Sequence, residues 1–255
     1  SLDDDDSAPD DDDSAEAPGA CSDGLVHHPD DVLIQSTALA EAFCSSWNAV
    51  SGNLVVTTTP DLWALSCLCS VAGTVTIHSN SGLENLDALS QLESALGLVL
   101  VDNPDLGSVS GLGGLTSLSQ DLEISGNTSL AGLAALEALE GVGGFVSLSN
   151  NPSLTDLQGL NALQDVGWYL ALEEDDALSS LAGLEQLDTT GQNLHVGGNS
   201  VLGDVSALQG VASIGGDLIV TDNVTLPRGQ TDALVAAIGL ENIGGTVVIE
   251  GNEDD

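Results

Sequence analysis

The sequence predicts a mainly β protein in which about nine coils of 21–24 residues stack into a β-solenoid. One motif recurs, most clearly at residues 98–106, 122–130 and 146–154: two apolar residues one position apart, then Asn, then Leu. From Asn103 to Asn223 the Asn (or Asp) position advances in steps of 24 residues. The chain of 255 residues is 42% hydrophobic but only 2% aromatic, which favours thin aliphatic layers over an ordinary globular core.

The first 20 residues form an acidic tail of Asp, Ser and Pro. Eight of the eleven residues from Asp3 to Asp13 are carboxylates, which repel one another and bury nothing. We therefore expect a solvated spacer or linker. The alternative is an arm that binds Ca²⁺ or a partner, because hard cations take oxygen ligands.

Residues 21–52 are predicted to form an N-terminal cap. A solenoid needs such a segment because its first coil would otherwise expose an apolar end. Val32–Ile34 is a short apolar run that predicts a first strand. Residues 37–43 are rich in good helix formers and predict a short helix.

Residues 53–255 are predicted to form the solenoid itself. Alternation within each short apolar run places two residues inward, as at Leu122 and Ile124. Apolar residues then follow at steps of three, which suits a wall of 3₁₀-like turns. Glycine pairs such as Gly143-Gly144 supply the corners.

The polar position after each strand predicts a structural ladder. A corner turned inward leaves backbone N–H and C=O groups without strand partners, which costs about 1–3 kcal/mol for each unpaired group. An Asn amide both donates and accepts, so stacked Asn side chains can satisfy the corner and one another. The predicted ladder positions are Thr59, Asn80, Asn103, Asn127, Asn151, Asp175, Asn199, Asn223 and Asn252.

The last repeat is longer than the others, since Asn223 and Asn252 are 29 residues apart. We expect a C-terminal cap from about residue 227. Residues 231–238 predict a helix closed by Gly239, and residues 246–250 predict a final strand.

The recurring motif Leu-x-Leu-x-x-Asn-x-x-Leu resembles the leucine-rich repeat. Its fuller form, Gly-Asp-Leu-x-Val-x-x-Asn at residues 216–223, is similar to the receptor L-domain, which many bacterial secreted or surface proteins carry after an Asp-rich linker. The resemblance covers about residues 30–252 and implies a right-handed, leucine-rich-repeat-like β-solenoid. It implies no particular ligand, because such modules bind proteins or sugars. Bacterial members often have Cys at both caps, whereas Cys occurs here only near the N-terminal end.

The four cysteines, Cys21, Cys44, Cys67 and Cys69, allow three disulfide pairings. Cys44 and Cys67 occupy nearly equivalent places in adjacent coils, within disulfide reach, and Cys21 would then pair with Cys69. The alternative is a metal site, for which the spacing Cys67-x-Cys69 is unfavourable. Disulfides predict an oxidising, extracytoplasmic setting.

Two further clusters have a metal-binding interpretation. Glu173, Glu174, Asp175 and Asp176 place four acids at one ladder corner, and Ca²⁺ selects carboxylates and turn carbonyls. A solvated corner is the other interpretation. Residues 27–31, His-His-Pro-Asp-Asp, are either a metal site or a solvated loop.

The outward strand positions predict a binding face, because they are apolar or uncharged on a very acidic protein. The competing explanation is simple β-propensity. The apolar positions are Val55, Val99, Val101, Ile219 and Val248. Asn127 and Asn223 begin glycosylation acceptor motifs but are expected to point inward, which leaves outward Ser and Thr as candidates for O-linked sugar.

The charge narrows the range of partners. One basic and 40 acidic residues give a net charge of −39, which repels nucleic acid and anionic membrane surfaces. No apolar run reaches the length of a membrane span. The expected partners are a protein or glycan at the cell surface, or further copies of the chain.

No residue pattern indicates a nucleophilic, phosphate-binding or acid–base site. We therefore expect a non-enzymatic, extracellular or cell-surface solenoid with a binding or structural role, acidic and cation-associated. The second interpretation is a self-assembling subunit of an extracellular fibre, with head-to-tail or tail-mediated contacts. The third is a carbohydrate-processing enzyme, for which the outward Glu123, Glu173 and Glu250 are too scattered.

Overall fold

The computed structural model describes Cys21 and residues 24–253, and this part of the chain is mainly β, with two α-helices. The predicted acidic tail lies outside the described residues. In chain order the strands are β1 His27–His28, β2 Val32–Ile34, β3 Ala49–Val50, β4 Leu54–Thr57, β5 Ser70–Val71, β6 Thr74–His78, β7 Gly97–Val101, β8 Ser117–Leu118, β9 Leu122–Ser125, β10 Gly141–Val142, β11 Val146–Ser149, β12 Asp165–Val166, β13 Leu170–Glu173, β14 Thr189–Thr190, β15 Leu194–Gly197, β16 Ser213–Ile214, β17 Leu218–Thr221 and β18 Val247–Glu250.

Ten strands form one long parallel sheet. Its order is β2-β4-β6-β7-β9-β11-β13-β15-β17-β18, so each strand lies beside the next long strand along the chain. Two smaller parallel sheets, β1-β3-β5 and β8-β10-β12-β14-β16, keep the same order. Parallel neighbours need a crossover connection, and here the rest of each repeat supplies it.

The register of the long sheet equals the period of the sequence. Val146 lies beside Leu122 on one side and beside Leu170 on the other, 24 residues away in each direction. The inward residues of these strands are fully buried, as the alternation predicts. Each inward side chain therefore stacks on its equivalent in the neighbouring strand, and the stacked layers form one continuous aliphatic core.

Short 3₁₀ turns connect the long sheet to the smaller ones. In the repeat around Ala134–Leu136, the buried residues Leu133, Leu136 and Leu139 recur at the predicted step of three. The turns are Trp63–Leu65, Asp87–Leu89, Ala134–Leu136, Gln158–Leu160, Ser206–Gly210 and Leu240–Asn242.

The predicted N-terminal cap, residues 21–52, includes the helix α1, Thr37–Cys44, where the sequence predicts one. The hydroxyl of Ser36 accepts a hydrogen bond from the Leu39 N–H at 3.3 Å and caps the first turn. Ala40 and Phe43 are buried against the core. The helix therefore covers the start of the stacked layers.

The two adjacent histidines, His27 and His28, lie in a strand, whereas the sequence suggests a solvated loop or a metal site. His27 and His28 form strand β1, paired in parallel with Ala49 and Val50 of β3. The imidazole of His28 packs edge-on against Trp47, with ring centroids 5.6 Å apart. A two-residue strand of polar residues carries no hydrophobic period, so the pattern alone did not reveal it.

The C-terminal helix α2, Arg228–Ile238, begins three residues earlier than predicted. Pro227 precedes it with φ −63°, an angle that suits a helix start, and Arg228 and Gly229 continue into the first turn. Gly239 ends the helix at φ +81°, as predicted for a C-terminal glycine.

Two disulfides close the N-terminal region. Cys44 is bonded to Cys67 and Cys21 to Cys69, with Cα–Cα distances of 5.7 and 5.6 Å. This is the pairing that the sequence favours over a metal site. Disulfides of this kind indicate an oxidising environment of the extracellular type.

Candidate binding face

The ladder residues are buried and bonded to one another from the end of β4 to the end of β18. Asn127 is typical: its N–H donates to Asn151 Oδ1 at 3.1 Å, and its Nδ2 donates to the carbonyls of Ser125 and Leu100 at 3.1 and 2.9 Å. The same chain of bonds runs from Thr59 to Asn252. These side chains stabilise the corner of each repeat and are not accessible to a ligand.

The residue before each ladder position has a left-handed backbone, which the sequence analysis missed. The signal in the sequence is glycine at this place in three repeats: Gly126, Gly198 and Gly251. The other repeats hold non-glycine residues there with φ of 54–58°: Thr58, Ser79, Asp102, Asn150, Glu174 and Asp222. The buried ladder side chain fixes this corner strongly enough to offset the steric cost.

A second ladder, also missed, lies at the entrance of the long strands. Asp121 Oδ1 accepts a hydrogen bond from the Phe145 N–H at 3.0 Å, and Asn193 Oδ1 accepts one from the Asp217 N–H at 2.9 Å. Asp217 in turn accepts bonds from the N–H and hydroxyl of Thr246. These two bonds hold the pKa of Asp217 below its ordinary value.

The entrance ladder explains why glycine precedes some strands and not others. A Cβ on Gly144 would collide with Asp121 Oδ1, and one on Gly216 would collide with Asn193 Oδ1. The entrance residue directly precedes the first buried residue of the long strand, as Asp121 precedes Leu122. Wherever this residue is Asp or Asn, the next repeat has glycine one position before its own entrance residue, as Gly144 precedes Phe145. Where the entrance residue is Thr74, Gly97, Phe145 or Tyr169, the next repeat instead has Leu96, Gln120, Trp168 or Gln192.

The entrance ladder is interrupted by an aromatic stack. The rings of Phe145 and Tyr169 lie parallel on neighbouring strands, with centroids 4.9 Å apart and planes 3° apart. Both stacked residues are half-buried, and Trp168, which directly precedes Tyr169 in the chain, is 55% exposed. We call Phe145, Trp168 and Tyr169 the aromatic platform. It holds three of the few aromatic residues in a chain that is 2% aromatic, and Trp168 is its exposed member.

Carboxylates surround the platform. Asp121 bonds the Phe145 backbone, Glu123 faces outward on β9, and Glu173 faces outward at the end of β13. Burial raises the pKa of Tyr169 above its ordinary value, and the charges of these three carboxylates raise it further. The platform is therefore an aromatic surface in a negative field.

A cleft of about 280 Å³ lies at the other end of the same strands. Its central contact joins His195 Nδ1 to Glu173 Oε1 at 2.9 Å. The imidazole leans over Gly197, since a Cβ there would lie 2.8 Å from His195 Nε2. Ser149 and Thr221 add hydroxyls to the lining. The cleft thus offers acceptors and hydroxyls, which suit a cationic or hydroxylated group.

The four acids of the predicted calcium corner do not converge. Asp175 points inward and is a fully buried ladder residue, whereas Glu173 faces outward and contacts His195. Glu174 and Asp176 are exposed. Among the described residues, no group of three or more His, Cys, Asp or Glu side chains is arranged to hold a metal ion, at this corner or at His27 and His28. Calcium binding at the corner stays a prediction.

Asp175 has an unsatisfied oxygen. Its Oδ1 accepts both bonds from Asn151, but its Oδ2 is buried without a hydrogen-bond partner. In the Asn rungs this position is an amide nitrogen that donates to carbonyl oxygens, as Asn151 Nδ2 does to Ser149 and Ile124. Burial is the main reason that the pKa of Asp175 rises to about 7.

The predicted apolar binding face is divided in two. The register places Val55, Val99 and Val101 near the N-terminal end of the long sheet and Ile219 and Val248 near its C-terminal end. Between them the same outward row holds Glu123, Ser147, Ala171 and His195. The five residues are half-buried and do not form one patch. Their role in binding stays a prediction.

Other candidate positions lie elsewhere. Asn127 and Asn223, the predicted glycosylation acceptors, are fully buried. Trp63, 60% exposed, lines a separate cleft of about 470 Å³ together with Pro60 and Glu84. Glu123 and Glu250 are on β9 and β18, far apart in the strand order.

Neither α-helix in the described part of the chain has the length and apolarity that crossing a membrane requires. A comparison of the chain with protein-family models, with curated proteins and with solved structures found no match.

Proposed function

We propose that the chain is a non-enzymatic extracellular binding protein, built as a right-handed, leucine-rich-repeat-like solenoid similar to the receptor L-domain. The observation that carries the proposal is the aromatic platform. At Phe145 and Tyr169 the chain has aromatic rings where a polar entrance residue would bond the next repeat. Exposed aromatic side chains that contribute little to the core are typical of contact surfaces.

The two disulfides support the extracellular setting, because such bonds persist in oxidising compartments. The ladder supports a scaffold role for the remaining repeats, because its buried Asn side chains are already hydrogen-bonded within the corners. Glu173 and His195 form a carboxylate–imidazole pair, the kind of pair that acid–base catalysis could use. In this proposal it contributes hydrogen bonds and charge to binding.

The test is a binding screen of the purified protein against extracellular proteins, peptides and glycans. A partner found with the native chain should be lost with Trp168→Gln, a change that copies Gln120 and Gln192 at the equivalent place. It should be retained with Trp63→Gln, which removes the other strongly exposed Trp. Retention by Trp168→Gln would place binding elsewhere, and conversion of any bound glycan or peptide into products would refute a non-enzymatic role.

A second candidate, the fibre subunit, is favoured by the C-terminal edge of the long sheet. The inward residues Val247 and Ile249 of β18 stay half-buried, whereas Leu218 and Val220 of β17 are fully buried. An incompletely covered apolar edge strand favours pairing with another chain. Light scattering with Ca²⁺ and with chelator tests it: concentration-dependent growth that Ile249→Asp abolishes supports a fibre, and a monomer in both conditions rejects it.

A further inference from the structure

The Phe145–Tyr169 stack is a cross-strand pair of the kind that stabilises a sheet, whereas Trp168 has no evident role in stabilising the fold. Trp168 is 55% exposed, whereas Phe145 and Tyr169 are half-buried and stacked on each other. Its repeats also lack the side-chain bond that Asp121, Asn193 and Asp217 make at the strand entrance. The chain therefore has half-buried aromatic rings, with an exposed Trp next to one of them, at a place where its own pattern would have supplied hydrogen bonds.

The charge around the platform limits what can bind there. The charges of Asp121, Glu123 and Glu173 all act on Tyr169, and Glu173, at the far end of β13, is already paired with His195 of the neighbouring cleft. The chain has one Lys or Arg residue, Arg228, which lies in α2 and within 3.8 Å of Asp232. An anionic ligand would meet repulsion on every side. A cation would gain from the aromatic faces and from the carboxylates together.

We propose that the aromatic platform and the carboxylates of Glu123 and Glu173 form a docking surface for a basic polypeptide segment, with a guanidinium or ammonium group against an aromatic face that the Phe145–Tyr169 stack leaves uncovered. The inference rests on the binding role proposed above and names the class of partner. Arginine fits better than lysine, since its planar group stacks on aromatic faces while it donates to carboxylates.

The cleft at Glu173 and His195 extends this surface along the strands. Tyr169 and Glu173 are four residues apart on one strand, roughly 13 Å at the rise of an extended chain. A partner in extended conformation can therefore place one basic side chain over the platform and a second at Glu173. The hydroxyls of Ser149 and Thr221 border this second position.

The experiment is a fluorescence titration with Trp168 as the single reporter. Trp47→Phe and Trp63→Phe remove the other two Trp residues, neither of which belongs to the platform. The probes are a short Gly/Ser peptide with two arginines, the same peptide with two lysines, the same peptide with two citrullines, and cellohexaose. Citrulline keeps the planar shape of arginine without its charge, so it separates cation binding from stacking alone.

We expect the arginine peptide to bind most tightly, the lysine peptide less tightly, and the citrulline peptide and cellohexaose not to bind. Added NaCl should weaken binding of the arginine peptide. Equal binding of the arginine and citrulline peptides, or binding of cellohexaose alone, would overturn the basic-segment inference but leave the proposed binding function standing. If no probe binds and the extracellular screen finds no partner, both proposals fail.

Variants locate the contact. Glu123→Gln and Glu173→Gln should each weaken binding of the arginine peptide by roughly 1.5- to 5-fold, the range for loss of a solvent-exposed ion pair. Glu137→Gln changes the net charge equally but lies beyond the 3₁₀ turn Ala134–Leu136, so it should leave affinity unchanged. Equal weakening by all three would mean general attraction to an acidic protein and would refute a defined site. Melting temperatures of the variants show whether each remains folded.

Discussion

Asn151 donates two hydrogen bonds to one oxygen of Asp175, from its N–H at 2.7 Å and from its Nδ2 at 3.2 Å, while the second oxygen of Asp175 has no partner. Asp175 is the one Asp in a run of Asn rungs. When ionised, its Oδ2 is an acceptor in a place where every Asn rung has a donor. A proton on Oδ2 removes that conflict, so the protonated form fits the ladder better.

Asp175 should therefore make the protein less stable as the pH rises. Its pKa of about 7 in the folded protein lies above the ordinary value, so folding favours the protonated form. The contribution of Asp175 to the free energy of unfolding is fully present below about pH 4 and is lost as the pH rises through about 7. The pKa differs by roughly three pH units between the folded and unfolded states, so the free energy of unfolding should fall by about 4 kcal/mol. Denaturant unfolding at a series of pH values measures it.

Asp175→Asn is the matching variant, because it restores the amide donor. We expect it to be more stable than the native protein above pH 7, with a difference that shrinks as the pH falls toward 4. Comparing the two proteins cancels the repulsion among the many other carboxylates. Asp176→Asn removes a neighbouring charge that contributes less than burial to the raised pKa of Asp175, so it should produce only a small part of this pH-dependent difference. A constant difference between native and Asp175→Asn proteins at all pH values would contradict the explanation.

The entrance ladder predicts a strong coupling between Asp121 and Gly144. Gly144→Ala should cost about 1–3 kcal/mol, because the added methyl group meets Asp121 Oδ1 and the Gln120 backbone. Asp121→Gly combined with Gly144→Gln copies the natural pair Gly97 and Gln120, and should cost less than the sum of the single changes.

The control for this cycle is Gly141→Ala. A Cβ there would have its nearest neighbour 3.9 Å away, so the substitution should change stability little. Unfolding free energies of the four proteins in the cycle give the coupling. Additive costs would show that the glycine and the carboxylate do not depend on one another.

The disulfides should stabilise mainly by restricting the unfolded chain. The Cys44–Cys67 bond spans 23 residues and the Cys21–Cys69 bond 48. The loop-entropy relation gives about 3 and about 4 kcal/mol respectively. Replacing Cys44 and Cys67 by Ala should lower the free energy of unfolding by about 3 kcal/mol. Replacing Cys21 and Cys69 by Ala should lower it by about 4 kcal/mol. Denaturant titrations under oxidising conditions measure both, and an unchanged stability for either pair would contradict the estimate.

Features that recur at fixed spacing were predictable from the sequence. The parallel strands, the buried pairs such as Leu122 and Ile124, and the ladder Asn residues follow from one motif repeated at 24-residue steps. The Cys44–Cys67 pair follows from the same logic of equivalent places in adjacent repeats. These features depend on local period and on stacking, which the sequence displays directly.

Features that depend on one side chain meeting another were harder to predict. Phe145 and Tyr169 each look like an ordinary outward residue, and only the register brings their rings together. Asp175 was predicted both as a ladder residue and as a calcium ligand, but an inward rung cannot also face solvent. The glycines of the entrance ladder could have been found by aligning the repeats with one another. Gly144 follows Asp121 and Gly216 follows Asn193 at the same offset.

The central claim is that the ladders hold the fold while the aromatic platform binds a partner, and one paired measurement tests it most directly. Asn80→Ala removes a buried rung, and Trp168→Gln removes the exposed ring of the platform. Both the free energy of unfolding and the affinity for the arginine peptide are measured for each, the affinity by isothermal titration calorimetry because Trp168→Gln removes the fluorescent reporter. We expect Asn80→Ala to lose roughly 3–5 kcal/mol of stability and keep its affinity, and Trp168→Gln to keep its stability and lose affinity. The opposite pattern, or equal loss of both properties in both variants, would contradict the account.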